Sequence, residues 1–283
     1  MGRQFEFRGS SAIVCGGSRG IGLETARELI RRGASVCIVA RDGGALDQAA
    51  LSLSPGLHAP EQFVETMRCD TTDADHLQPL IDDYVERRGV PQLLVNNVGY
   101  AYPQYLQRLR LEDFRRNMDV NYYGQLVPTL TLLPHFLAAG GGYIANVSSM
   151  LGYMGMVGYA SYAPTKFAIV GLSDALRNEL HPHNIGISVL YPPDTETDGY
   201  EKENLTKPEE TRRMSGKVKP MSAAAVAKVF VDGIARRRYA IMPGQASLVW
   251  RLNRYFPALV RRVLDREHEQ ARALMARRNN AAR

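Results

Sequence analysis

The chain has 283 residues, 45% apolar and 23% charged, enough to bury the core of one large α/β domain with an appendage. Its net charge of +6 and pI near 9.3 would suit nucleic acid, an anionic membrane surface or a phosphorylated cofactor, but no helix-turn-helix, zinc-ligand spacing or aromatic RNA-reading motif accompanies the charge, so nucleic acid is not an expected partner. No run reaches the ~18 apolar residues of a membrane-spanning helix, the first residues carry no apolar stretch of the kind a signal peptide needs, and Cys15, Cys37 and Cys69 lie in or beside apolar runs without a CxxC pair, as free thiols of a reducing, cytoplasmic compartment would.

Ser11 to Cys15 reads as a short apolar strand, followed at once by Gly16-Gly17-Ser18-Arg19-Gly20-Ile21-Gly22 and a helical pattern through Arg32. Strand, glycine turn and helix make a phosphate-binding start. Gly16 and Gly20 allow the tight turn and a close backbone approach, Gly22 lets helix pack on strand, and the helix N-terminus faces a pyrophosphate. The second strand, Ser35 to Ala40, ends where a fold selective for the unphosphorylated dinucleotide places a carboxylate; here Ala40 is followed by Arg41. With Arg19, two guanidiniums can converge on a 2′-phosphate, which predicts NADPH as the cofactor. Asp42 should point away by strand alternation.

Gly43 to Pro60 reads as helix and then surface loop, and Phe63 to Cys69 as the third strand. Asp70 at its end either accepts from an adenine amine or caps the next helix through Asp70-Thr-Thr-Asp73. Gln92 to Val95 is a fourth strand ended by Asn96-Asn97-Val98-Gly99, whose two amides can hold the sheet end and the loop beside the nicotinamide ribose. A long helix from Leu111 to Leu137 contains Asn121 and is expected to kink at Pro128. Asn121 is either structural or an amide that faces Lys166 and holds a water for proton relay.

The apolar run Tyr143 to Ser148 is a buried strand that delivers Ser149, thirteen residues before Tyr162, and Tyr162-Ala-Pro-Thr-Lys166 follows. If Tyr162 opens a helix, Tyr162 and Lys166 share one face a turn apart. An ammonium there favours phenolate and lowers the tyrosine pKa toward working pH, which makes Tyr162 a candidate general acid/base.

These motifs, in this order over roughly residues 10 to 195, resemble the short-chain dehydrogenase/reductase family. Cys15 departs from the Thr usual there. The resemblance implies a doubly wound parallel sheet of the Rossmann kind and a tendency to homo-oligomers. It makes Tyr162 the proton donor to a carbonyl, with Lys166 lowering its pKa and binding the nicotinamide ribose, Ser149 orienting the carbonyl oxygen, and Asn121 holding the relay water. Ser148 is the alternative hydroxyl if the strand register slips by one. The implied cofactor site takes in Gly16, Ser18, Arg19, Gly20, Ile21, Arg41, Asp70, Asn97, Tyr162, Lys166 and Thr195.

After the sixth strand, Ile187 to Tyr191, the segment 192–221 is the expected substrate lid. Its Pro-Pro-Asp-Thr start and its Glu-Asn-x-Thr-Lys-Pro continuation at 203–208 are similar to the branch of the family that reduces 3-ketosphinganine, a long-chain amino ketone, with NADPH. The lid is acidic in a basic protein, and Asp194, Glu196 or Asp198 is expected near the substrate amine. A broader reductase of another lipid, steroid or acyl ketone, and a protein that binds NADP(H) without turnover, are the alternatives; an intact Asn121, Ser149, Tyr162 and Lys166 set argues against the second. No metal site is expected.

Ser222 caps a helix through Ala235, Tyr239 to Met242 makes a last strand, and residues 8–245 form the expected catalytic domain. In the extension 246–283, Leu248, Leu252, Tyr255, Phe256, Leu259, Val263 and Leu264 recur at helical spacing among arginines, split by Pro257 into two helices. The stripe packs on the core, meets a second subunit, or lies peripherally on the cytosolic face of a membrane. Arg277 to Arg283 reads as a frayed end.

Overall fold

A computed structural model of the chain describes residues 4–216 and 218–281. The first half alternates strand and helix: β1 (Ser11–Cys15), α1 (Gly20–Arg31), β2 (Ser35–Ala40), α2 (Gly43–Leu53), β3 (Val64–Arg68), α3 (Ala74–Arg88) and β4 (Leu93–Asn96). Then come α4 (Leu111–Met118), a π-helical turn (Asp119–Tyr123), α5 (Gly124–Ala138), β5 (Gly142–Val147), α6 (Ala163–Leu180) and β6 (Ile185–Leu190). The lid is β7 (Thr195–Glu196), α7 (Asp198–Thr206), α8 (Glu209–Ser215) and β8 (Met221–Ser222). The chain closes with α9 (Ala223–Ala235), β9 (Ala240–Ile241), α10 (Ala246–Tyr255) and α11 (Pro257–Ala281).

The main sheet is seven-stranded and parallel, in the order β3-β2-β1-β4-β5-β6-β9. Strands covered on both faces are apolar throughout rather than alternating, as the fully buried β1 illustrates. On one face Val14 and Ile38 pack with Leu29, Leu46 and Phe230 from α1, α2 and α9. On the other, Ile13, Cys37 and Ile144 pack with Tyr84, Phe136 and Leu176 from α3, α5 and α6. The three cysteines are buried free thiols. Strand order reverses between β1 and β4, and the crevice at the carboxyl ends of these strands is where such sheets bind ligands. A buried amide chain stiffens the sheet there: Asn96 Nδ2 donates to Asn146 Oδ1 at 2.9 Å, and Asn146 Nδ2 to Ser173 Oγ at 2.9 Å.

The long helix expected over 111–137 is interrupted, and not at Pro128. The interruption is the π-helical turn Asp119–Tyr123; Pro128 is buried inside a continuous α5 that begins at Gly124, the residue whose carbonyl the proline ring meets. Ser222 caps α9 as expected, accepting from the Ala225 amide at 3.3 Å. Asp70 does not cap α3; Asp73 does, accepting from the His76 amide at 3.1 Å. α11 continues to Ala281 through most of the stretch expected to fray; residues 282 and 283 lie outside the described ones.

Helices α10 and α11 divide at Pro257 as expected. α11 packs on α8, and Asn253 of α10 donates to the Tyr153 carbonyl at 2.7 Å while Tyr153 donates its hydroxyl to the Ala246 carbonyl at 3.0 Å. Leu264 of the apolar stripe lines a cavity with Met156, Val157 and Met214, and the rest of the stripe does not face this contact. Leu248, Leu252, Tyr255, Phe256, Leu259 and Val263 are all exposed, Tyr255 at 69%. Among the described residues no helix is long and apolar enough to cross a membrane.

Candidate active site

Tyr162 sits immediately before α6, whose first turn carries Pro164, a residue whose fixed φ favours helix initiation. One turn on, Lys166 places Nζ 5.6 Å from the centroid of the Tyr162 ring. Lys166 is buried and donates to the Val147 carbonyl at the end of β5 at 3.1 Å. Burial of the ammonium lowers its pKa to about 8. The two residues therefore share a face, as their spacing predicts.

The electrostatic expectation for the phenol is not met. Burial first, then the charge of Glu203 and that of Asp194, raise Tyr162 above its ordinary value, and the Ser149 hydroxyl is the group that opposes them. Low polarity disfavours phenolate, and negative neighbours add to that. Tyr162 is thus a protonated phenol in this state, an acid ready to donate.

The serines divide without ambiguity. Ser148 is buried and its hydroxyl donates to the Lys166 carbonyl at 2.9 Å, whereas Ser149 is half-buried, faces Tyr162, and accepts from the Leu151 amide at 3.1 Å in a short 3₁₀ turn. Asn121 lies in the π-helical turn, fully buried. Its Oδ1 accepts from the Tyr100 amide at 2.8 Å, and its Nδ2 donates to the Tyr100 carbonyl and to Thr165 Oγ1, each at 3.0 Å. A wider helical turn re-aims one side chain, a recurrent device at sites. At Gly99 an added Cβ would stand 3.1 Å from Lys166 Nζ and 3.2 Å from Asn121 Oδ1, so the ammonium and the amide oxygen face one point.

The glycine turn fits a dinucleotide. Gly16 and Gly20 have φ of +75° and +56°, and a Cβ at Gly22 would meet the Gly16 carbonyl oxygen at 2.1 Å. Arg19, the residue before α1, makes no side-chain cap, which leaves the first amides of α1 for a pyrophosphate. Ser18 is half-buried and Arg19 exposed in the turn; Ile21 packs into the core beneath it. Asn97 clasps the turn, its Nδ2 donating to the Gly16 carbonyl at 3.0 Å.

Arg41 NH1 lies 3.4 Å from Asp70 Oδ2. Asp70 Oδ1 accepts from the Thr72 amide at 3.0 Å and its hydroxyl at 2.9 Å. Burial raises the Asp70 pKa, yet these bonds and Arg41 together take it below the usual value. Asp42 does not point away as expected. One of its oxygens accepts from the Ala45 amide at the start of α2, and the other lies 3.6 Å from Arg19 NH2, because the helix start turns the chain out of strand alternation.

The lid covers the site. Thr195 is buried with its hydroxyl donating to the Pro193 carbonyl at 2.7 Å, and β7 pairs with β8. Of the three acidic residues expected near the substrate, Asp194 acts on Tyr162, while Glu196 and Asp198 are exposed. Sequence reasoning missed Glu203 as a site group and also missed Thr197, whose Cγ2 would stand 3.0 Å from a Cβ at Gly20. Glu203 carried a readable signal, since Glu203 and Lys207 are four apart, the spacing of a helical ion pair. No group of metal-ligating side chains occurs among the described residues.

The family model of the short chain dehydrogenases matches residues 10–208. A 3-ketodihydrosphingosine reductase of Dictyostelium discoideum is 37% identical over 251 residues, 84% of this chain and 75% of that protein. A 3-dehydrosphinganine reductase of Danio rerio is 35% identical over 230 residues, 81% of this chain and 69% of that protein. Among solved structures, a short chain dehydrogenase/reductase of Burkholderia phymatum in complex with NAD superposes with a TM-score of 0.79 at 24% identity, covering 90% of this chain and 96% of that one. Levodione reductase does so with 0.76 at 21% identity, covering 86% and 99%. These two likenesses bear on the fold alone.

Proposed function

The chain belongs to the short-chain dehydrogenase family, and on that premise we propose that it is an NADPH-dependent reductase converting 3-ketosphinganine to sphinganine in sphingolipid synthesis. The observation that carries this reading is the convergence of Ser149, Tyr162 and Lys166 at the end of β5 in a chain 37% identical to a reductase of that substrate.

In this mechanism the ketone oxygen sits between the Ser149 hydroxyl, which orients it, and the Tyr162 phenol, which gives it a proton. Bound NADPH supplies the hydride to the carbonyl carbon. The raised Tyr162 pKa keeps the proton in place until the oxygen gains charge, and the buried Lys166 ammonium then stabilises the phenolate left behind. Asn121 and Lys166 converge on the point beside Gly99 through which that proton is restored.

For the cofactor, Gly16, Ser18, Gly20, Ile21 and the start of α1 would hold the pyrophosphate and Asp70 the adenine amine. Arg19 and Arg41, now beside Asp42 and Asp70, would hold the 2′-phosphate. Asn97, Thr195, Tyr162 and Lys166 border the nicotinamide end. The absence of a carboxylate at Ala40 supports NADPH over NADH.

The exposed stripe on α10 and α11, flanked by Arg251, Arg254, Arg261, Arg262 and Arg266, supports a peripheral contact with an anionic lipid surface on the cytosolic side, from which a lipid substrate is drawn. Leu130 and Leu137 on α5 and Phe167 on α6 are also exposed and offer an apolar surface to a second copy in a homo-oligomer.

The test is loss of NADPH absorbance by purified protein with 3-ketosphinganine in mixed micelles, against NADH and against simple ketones. Turnover restricted to NADPH and the long-chain amino ketone is the expected result. Turnover of simple ketones without 3-ketosphinganine would overturn the substrate.

A further inference from the structure

The lid carries a buried charged cluster that the mechanism above leaves unused. Lys207, just past α7, has no exposed side-chain surface, and its Nζ lies 3.1 Å from Glu203 Oε1, one helical turn back. The contact is an ion pair without hydrogen-bond alignment. The same ammonium stands 4.6 Å from the centroid of the Tyr200 ring and 6.0 Å from that of Tyr159, close enough for both aromatic faces to attract it.

Both tyrosines hold carboxylates. Tyr159 donates its hydroxyl to Glu203, and Tyr200 donates to Asp194 Oδ2 at 3.3 Å. The ring of Tyr159 lies 5.9 Å from that of Tyr162, which sets the cluster against the proton donor. While the other ammonium of the site, Lys166, is held by the Val147 carbonyl, Asp194, Glu203 and Lys207 together contribute one negative charge in excess within the lid. Such a charge in a partly dry pocket is costly unless a ligand brings its counterpart.

Resting on the reading that the substrate is a long-chain 3-keto amino alcohol, we propose that Glu203 and Asp194 are specificity residues that bind its ammonium group. In that substrate the ammonium is on the carbon next to the ketone carbon, so a ketone oxygen placed on the Tyr162 hydroxyl brings the ammonium to the groups beside the phenol. Lys207 neutralises one of the two negative charges and leaves the other for the substrate, while Tyr159 and Tyr200 fix where the carboxylates stand. A ketone without the amine leaves the excess charge unmatched and is discriminated against. Glu196 and Asp198, exposed on the outer side, take no part.

The experiment compares kcat/KM for 3-ketosphinganine with that for the equivalent long-chain 3-ketone lacking the amine, in the wild type and in Glu203→Gln and Asp194→Asn, with NADPH binding followed by fluorescence to verify each fold. The wild type is expected to prefer the amino ketone. Each variant should lose that preference by roughly 10- to 100-fold, the worth of one charge-assisted hydrogen bond, and Glu203→Asp should restore part of it in the Glu203 case. A merely structural role would lower both substrates in proportion and overturn the proposal, as would an unchanged preference in whichever variant folds. A wild type that turns over the amine-free ketone alone would overturn the substrate reading, and this proposal with it.

Discussion

Ser148 Oγ donates to the carbonyl oxygen of Lys166 at 2.9 Å, tying the end of β5 to the first turn of α6 from within the core. One residue on, Ser149 faces the phenol. Two adjacent hydroxyls thus have separate tasks, and substitution separates them. Ser148→Ala should destabilise the fold by about 0.5–1.5 kcal/mol, losing one buried hydrogen bond, with turnover per folded molecule largely kept. Ser149→Ala should leave the denaturant midpoint near the wild type and cut turnover roughly 100-fold or more. Unfolding curves beside active-site-normalised rates decide between them.

Tyr162→Phe removes the proton and little else. Turnover should fall roughly 100- to 10,000-fold, the range of general acid catalysis, while NADPH binding measured by fluorescence persists. Undiminished turnover would sink the mechanism.

Lys166 is charged below its pKa of about 8 and neutral above it. Reduction should therefore slow as pH rises through about 8, because the ammonium that stabilises the phenolate is lost. For stability the sign is opposite. The folded protein binds fewer protons here than the unfolded chain between about 8 and the ordinary lysine value of 10.5, so stability from this group rises with pH across that window and the buried charge is a cost at neutral pH. Lys166→Met should abolish turnover while raising unfolding stability by roughly 1–3 kcal/mol. A pH-rate profile and a urea titration at neutral pH check the two halves.

Arg41 is held at 3.4 Å from Asp70 by a pair that is 68% and 42% exposed, a weak attachment that a phosphate displaces. Arg41→Ala should raise the KM for NADPH roughly 10-fold and leave that for NADH near its original value, reducing the cofactor preference accordingly. Steady-state kinetics with both cofactors measures it.

A chain ending after Gln245 should stay folded, since β9 already completes the sheet at Ile241, and should fail to sediment with anionic vesicles, whereas the full chain is expected to sediment with them. Equal partition of both forms would remove the membrane reading.

The sequence by itself determined the strands of the main sheet, the glycine turn and the Tyr162–Lys166 face. These depend on local rules: continuous apolar runs for strands buried on both sides, positive φ at Gly16 and Gly20, and a helical repeat that brings residues four apart together. It also carried the missing carboxylate at Ala40, a property of one position in a known topology. Only the tertiary structure decided which of Ser148 and Ser149 faces the phenol, since a shift of one residue in a strand exchanges its faces. The helix interruption likewise fell at Asn121 rather than at Pro128, where the amide meets Tyr100 and Thr165 from distant parts of the chain. The sign of the Tyr162 shift was also a tertiary matter. The local ammonium argued downward, but burial and the carboxylates of Glu203 and Asp194 argue upward, and those groups reach the phenol only because the lid packs on the loop that leads into α6. Charge acts through space and desolvation through the whole enclosure, so neither can be summed along a chain whose packing is not yet known.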